Sequence, residues 1–470
     1  MGKLHLIDIS IVAIYLILCL VIGLRKSTKI KNIRDYAVGN KNFSTFIIIA
    51  TVFATYVSGN TTVGNMEGVY NVGLLYAIPL LFTSFNWFIV KNIYAKRVNK
   101  FHDCISMSEI MYKLYGNVGL NLTNIVLVLR TIGFIAIQVT AIGYLFNYFF
   151  NFPYIQGVLI GVSILALYSA LGGVRAVALT DVFQFLIFFV ALPLVCGYAY
   201  FQAGGYDKIV SLLPETHLKI FTNANNTISF FSYIFWIVLP AVSPPYTQRL
   251  LMAKDKKQLM SSYNILMMLS IFFAITIFVL GFCIRTIYPG IDAKIALYTF
   301  IGNLPSISLG FMVAGILAVI MSTADSWLNS LSVIISHDVI KKIFPNISDR
   351  TELLSARIAT VVCSIFAVII ALYSGEIFKL ILLVENFYYA LILIPFTVGF
   401  FNFKMAPIPL LASFISGFVC TLIIRLCVGE FGILSLTFGT LGSAIGFFVA
   451  YYIQVKMGII KKEVKSGAFS

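Results

Sequence analysis

Residues 309–335 read "LGFMVAGILAVIMSTADSWLNSLSVII". About 20 helical residues cross a hydrocarbon core of roughly 30 Å, and this run is long and apolar enough to do so. Its middle nevertheless carries Ser322, Thr323, Asp325 and Ser326 in close succession. On a helix, Val319, Ser322, Thr323 and Ser326 follow the i, i+3, i+4, i+7 spacing and share one face, with Asp325 and Asn329 beside it. A carboxylate near the bilayer centre costs about 2.5–3.5 kcal/mol on insertion scales, so it faces a bundle interior or water and has a partner. Hydroxyls, a carboxylate and freed carbonyls are hard oxygen ligands, matched to a small hard cation and poorly matched to a soft metal. The plainer alternative is that these hydroxyls bond back to their own helix or join it to a neighbour. Their consecutive grouping with Asp325 favours a ligand set.

The rest of the chain agrees with a membrane solvent. Of 470 residues, 60% are hydrophobic and 11% charged, and the mean hydropathy of +0.96 lies far outside the soluble range. Segments of about ten residues in strict alternation, the mark of a membrane β-barrel, are not found. The expectation is an all-α membrane protein with about thirteen transmembrane helices. The spans run over 7–24, 43–66, 73–90, 122–150, 154–171, 177–200, 230–246, 265–285, 309–335, 356–374, 378–401, 408–429 and 431–455. The first follows a single lysine, lacks a small-residue cleavage site and runs into "RKSTKIKNIR", so it reads as a retained helix.

Basic residues test the count independently, because cytoplasmic loops are enriched in them. With the N-terminus outside and the C-terminus cytoplasmic, most of the 33 Lys and Arg residues fall on the cytoplasmic side, among them Lys26, Lys29, Arg175, Arg249, Lys404 and Lys461. Lys3, Lys208, Lys219, Arg285, Lys294, Lys379 and Arg425 fall on the other side, and Arg130 within a span. The net charge of +15 thus reflects topology and contact with anionic membrane lipid, and no nucleic acid partner is implied. Seven scattered cysteines and four histidines show no pairing or metal spacing, which argues against a metal enzyme. The longest outer loop, 201–227, is too short to bury a core of its own.

Two further features carry chemistry. In "SALGGVRAVALTDVFQFLI", Thr180, Asp181 and Gln184 fall on roughly one helical face; Asp181 either faces the bundle there or pairs with Arg175 at the membrane surface. The second span contains "ATYVSGNTTVGNMEG", with Ser58 and Gly59 at its middle, and the seventh contains "IVLPAVSPPYTQR". Glycine and proline interruptions at depth free backbone carbonyls, which survive only where they line a cavity or coordinate something. These two spans are five apart, where two five-helix repeats of opposite topology would each begin, and matched interruptions there point to a transporter's binding site.

The runs "GGVRAVALTDVFQ", "GILAVIMSTADSWLNS" and "SPPYTQRLLMAKDKKQ", within this layout, resemble the sodium:solute symporter family over nearly the whole chain. The resemblance implies the leucine-transporter-type fold of 5+5 inverted repeats with helices 2 and 7 broken. Residues 1–42 would form the first helix and a basic cytoplasmic loop, 43–200 the first repeat, 201–402 the second, and 403–470 helices 12 and 13 with a tail. A first sodium site would use the carbonyls of Ala54, Val57 and Val319 and the hydroxyls of Ser322 and Thr323. A second, present in some members only, would use Asp181, Asp325 and Ser326. The substrate would lie among Tyr56, Ser58, Gly59, Asn60, Thr61, Trp236, Leu239 and Pro240. Glu385 either faces that region or serves as a partner for Arg130.

The implied function is sodium-coupled symport of a small organic solute into the cell, across a plasma membrane of the bacterial inner-membrane kind. No enzyme activity, cofactor beyond Na+ as coupling ion, or obligatory protein partner is implied. The chain departs from proline-carrying members, which have aspartate at the position of Tyr56 and tyrosine at that of Pro240, although Trp236 matches. Sugar carriers are polar at the positions of Asn60, Thr61 and Trp236, and only the first two remain polar here. An amino acid such as proline, or another zwitterion, is the first expectation. A proton-coupled carrier using Asp181 or Asp325 is the alternative. A channel fits less well, because broken helices without a repeated filter loop argue for alternating access, and an intramembrane aspartyl protease lacks its glycine-x-glycine-aspartate motif.

Overall fold

The computed structural model describes residues 4–25, 30–373, 377–401, 403 and 405–459. Lys3, Lys26, Lys29, Ser374, Lys404 and Lys461, used above for topology and span ends, lie outside the described residues, as does the side chain of Lys379. No strand occurs among the described residues. The principal helices are α1 (Leu6–Arg25), α2 (Thr45–Tyr56), α3 (Asn65–Val72), α4 (Met107–Phe150), α5 (Tyr154–Gln202), α6 (Ala224–Val238), α7 (Pro244–Met252), α8 (Lys256–Ile287), α9 (Ser308–Val333), α10 (Asp349–Tyr373), α11 (Ile377–Tyr388), α12 (Pro407–Val428) and α13 (Ile433–Lys456).

Ten helical runs among the described residues are long and apolar enough to cross a membrane, or eleven when the bent pair Ile33–Lys41 and Thr45–Tyr56 counts as one. The difference from about thirteen expected spans has a geometric cause. At 1.5 Å per residue, the 49 residues of α5 would extend about 74 Å, more than two hydrocarbon thicknesses. The backbone leaves helical geometry at Gly173 (φ 53°, ψ −164°), between the fifth and sixth expected spans. A Cβ there would lie 2.7 Å from the Tyr36 ring, so both the left-handed backbone and the close packing favour glycine. The seventh expected span is divided into α6 and α7, each too short to cross alone.

Burial ranks the helices. The run containing α9 has 89% of its apolar window buried, against 17% for α12 and 28% for α1, so α9 is the central strut while α12 and α1 present apolar surface outward. Even so, α1 is pinned to the start of α9. Asp8 Oδ1 accepts hydrogen bonds from the backbone N–H groups of Ile307 (2.8 Å) and Gly310 (3.0 Å), and Oδ2 from Ser306 Oγ at 3.1 Å and His5 N at 3.0 Å. These are N–H groups that the first turn of a helix leaves unpaired.

Candidate functional site

The site begins where α2 stops. Ser44 caps its start by accepting from Ile47 N, and Val57 ends it in an extended conformation (φ −74°, ψ 99°). A helix terminus leaves its last four carbonyls without helical partners. Here side-chain hydroxyls meet them. Ser322 Oγ donates to Ala54 O at 2.9 Å and lies 3.1 Å from Val319 O. Thr323 Oγ1 lies 3.4 Å from both Thr55 O and Val57 O and 3.3 Å from Val319 O. Ser322 and Thr323 are fully buried. The structure therefore gathers the carbonyls of Ala54, Val57 and Val319 and two hydroxyls into one cluster of neutral oxygens, donor chemistry suited to an alkali cation. Beyond the break the chain resumes as a helix from Asn60, with Thr61 Oγ1 accepting from Ser58 N at 2.7 Å and donating to Tyr56 O at 2.9 Å.

One turn further along α9, a second buried cluster has a different content. Asp181 is fully buried and does not pair with Arg175, which instead binds Asp35 at 2.9 Å; of the two sequence alternatives, Asp181 takes the bundle. Its partner there is Arg249, expected among the cytoplasmic bases yet 0% exposed. Arg249 Nη2 lies 3.3 Å from Asp181 Oδ2 and donates to Ser326 Oγ at 2.5 Å. Thr51 Oγ1 donates to the same Asp181 oxygen. Asp325 faces elsewhere: its Oδ2 accepts from Tyr168 Oη at 2.8 Å and lies 3.4 Å from Thr180 Oγ1. The three residues Asp181, Asp325 and Ser326 are thus neighbours in the core, with a guanidinium bound to the first and third.

Beside the first cluster lies a cavity of about 140 Å³. Tyr56, Ser58, Asn60, Thr61, Trp236, Leu239 and Glu385 line it, whereas Gly59 and Pro240 do not. Pro240 sits in the break between α6 and α7, where Val242 N bonds to its carbonyl at 2.7 Å. Glu385 takes both roles left open by the sequence, lining the cavity and pairing with Arg130, whose Nη2 reaches the two carboxylate oxygens at 2.8 and 2.9 Å. Arg130 also lines the cavity. Its guanidinium carbon lies 3.7 Å from the ring centre of Tyr388 and 4.7 Å from that of Trp327, while Nε and Nη1 have no hydrogen-bond partner.

Sequence reasoning missed several wall residues. Tyr246, Trp327 and Tyr389 carry rings that an apolar span contains by default, so nothing marks them out. Asn86 is more specific. Its side-chain amide donates to Leu239 O at 2.7 Å and accepts from Ala241 N at 2.8 Å, satisfying two backbone groups that the interrupted α6–α7 span cannot pair internally. A lone amide in the apolar stretch "FTSFNWFIV" was the available signal.

The sequence matches the Sodium:solute symporter family over residues 36–417. It is 26% identical to the sodium/pantothenate symporter of Haemophilus influenzae, over 67% of each chain. It is also 26% identical to the osmoregulated proline transporter OpuE of Bacillus subtilis, over 76% of each. Among solved structures, a Na+-coupled sialic acid symporter in a substrate-bound outward-open state superposes with a TM-score of 0.85 at 19% identity, covering 96% of this chain and 98% of that one. Mhp1, a nucleobase-cation-symport-1 family transporter, follows with 0.55 at 10% identity, over 91% and 96%. These neighbours share the leucine-transporter-type fold. A multi-pass membrane carrier coupled to Na+, and not an enzyme, the chain belongs to the sodium:solute symporter family.

Proposed function

We propose that the chain carries a compact zwitterion, an amino acid such as proline or a betaine, into the cell together with Na+. The observation that carries this reading is the adjacency of two different sites: the neutral-oxygen cluster of Ala54, Val57, Val319, Ser322 and Thr323, and a cavity whose wall holds the Arg130–Glu385 pair. In the first, Na+ bridges the broken helix to α9 and thereby fixes the shape of the second. In the second, Arg130 stands in the cavity wall, and a guanidinium is matched to a carboxylate. The faces of Tyr56 and Trp236 suit an ammonium or methylated amine. Size points the same way: a cavity of about 150 Å³ holds a benzene-sized molecule, so a compact solute fits 140 Å³ better than an extended one. The proline transporter among the relatives supports the choice of first candidate.

Residues 43–200 and 201–402 act as the two inverted repeats, rocking about the fixed site with the N-terminus outside. One charge crossing about 100 mV supplies about 2.3 kcal/mol, and each 1.4 kcal/mol is about tenfold. A single ion therefore supports roughly fifty-fold accumulation from voltage alone. The test is thermal unfolding of the purified protein with proline, glycine betaine or pantothenate, in Na+ or choline buffer at fixed pH. Stabilisation by a zwitterion that requires Na+ is expected. Equal stabilisation in choline removes sodium coupling, and a response to pantothenate alone removes the compact zwitterion.

A further inference from the structure

We propose that the basin formed by Arg34, Asn40, Lys41, His102 and Asp103 binds a phosphate group, carried either by a membrane lipid headgroup or by a soluble anion. The inference does not depend on which solute is transported.

The basin has a volume of about 480 Å³ and opens beside the segment that leads into α2. Its two walls are distant in sequence: residues 34–41 precede α2, and residues 102–103 precede α4. Arg34 Nη1 donates to Asp103 O at 2.8 Å, while Arg34 Nη2, at 3.3 Å, and Lys41 Nζ both donate to His102 O. Two cations thus meet at one carbonyl oxygen. A carbonyl satisfies their hydrogen bonds but carries no charge to offset theirs.

The acids at hand are committed elsewhere. Asp35 Oδ1 accepts from Arg175 Nε at 2.9 Å and from Asn40 Nδ2 at 3.2 Å, and Asp103 pairs through Oδ2 with Lys113. Neither Arg34 nor Lys41 makes an ion pair among the described residues. Four bases, Arg34, Lys41, Lys113 and Arg175, therefore stand against the two acids Asp35 and Asp103. The His102 imidazole registers the excess: burial, and then the charges of Lys41 and Arg34, hold it below its ordinary pKa.

The backbone supplies a second observation. Gly39, Asn40 and Lys41 have φ of 58°, 52° and 58°, three successive left-handed residues. Glycine and asparagine tolerate that region far better than lysine does. Strain of this kind persists only where the surroundings enforce it, and it gathers at ligand clamps. Here it brings the Lys41 ammonium back to residue 102, beside Arg34. A phosphate group matches the result, because guanidinium and ammonium are its usual partners, and basic pockets of membrane proteins take anionic head groups.

Thermal unfolding of the purified full chain in a non-ionic detergent, at constant Na+, pH and ionic strength, tests this. Two probes are titrated: potassium phosphate against potassium chloride, and soluble short-chain phosphatidylglycerol against phosphatidylcholine of the same chain length. A saturable rise in melting temperature with one probe or both is expected. A response to phosphatidylglycerol alone assigns a lipid headgroup, a response to phosphate alone a soluble anion, and a response to both a site open to either source. Equal stabilisation by phosphatidylcholine counts as no response to lipid. In Lys41→Asn and Arg34→Gln the half-maximal concentration should rise about tenfold, through loss of one charge-assisted contact. Asparagine at position 41 suits the left-handed backbone, so that variant is expected to fold; should Arg34→Gln not fold, Lys41→Asn decides alone. No saturable response to either probe, or a midpoint unchanged in Lys41→Asn, overturns the proposal.

Discussion

Thr323 concentrates the chemistry of the site in one hydroxyl. It faces Val319 O, Thr55 O and Val57 O at 3.3–3.4 Å, long for O–H···O hydrogen bonds, so their loss alone affects folding little. Thr323→Ala is accordingly expected to raise the Na+ concentration needed for half-maximal stabilisation by about tenfold, equivalent to about 1.4 kcal/mol. Unfolding in Na+-free buffer should shift little. Titration of the melting temperature with Na+ reads both quantities, and an unchanged Na+ midpoint takes Thr323 out of the cage. At this scale the α9 stripe was legible, because helical spacing alone places Ser322, Thr323 and Ser326 on one face. Arg249 was not. A basic residue following a proline-broken span looks the same whether it enters a cytoplasmic loop or turns back into the core, and only the tertiary position of Asp181 distinguishes the two.

At the scale of elements, the interruptions were written plainly in the sequence, as Ser58–Gly59 in one span and three prolines in the other. What holds them open was not. Asn86 lies 153 residues from Leu239, and no local pattern links an amide in one helix to a gap in another. Its replacement by alanine would leave Leu239 O and Ala241 N unpaired in the interior, at about 1–3 kcal/mol for each buried group. Asn86→Ala is expected to lower the melting temperature and to weaken Na+-dependent solute stabilisation, since the cavity wall runs through the same backbone. Asn86→Asp keeps the acceptor for Ala241 N and should fall between the two. Equal melting temperatures for all three proteins would show that water satisfies the break.

For the whole molecule, hydropathy and the alternation of basic loops predicted about thirteen spans against ten or eleven helical runs long enough to cross among the described residues, and the two readings part where one continuous run contains the Gly173 turn and where half-helices replace a full span. Hydropathy measures length and composition; it does not register a break in helical geometry that a single positive-φ glycine makes between two apolar stretches. The sidedness inferred from that alternation has a direct check. Cys427 is exposed near the end of α12, which an outside N-terminus puts on the outer surface. A membrane-impermeant maleimide added to intact cells should label Cys427, with Cys427→Ser removing the signal. Labelling only after permeabilisation would invert the topology.

The carboxylate of Asp8 sets a condition on how the chain is made. Its partners on the other helix, Ser306, Ile307 and Gly310, are synthesised some three hundred residues later, and until then the acid has only the neighbouring His5 N–H to bond. A buried carboxylate is costly without partners, so α1 is expected to keep that end in water during biogenesis and to seal against the bundle only after α9 has been inserted. A helix made some three hundred residues before its partners is in this respect among the last to reach its final seat.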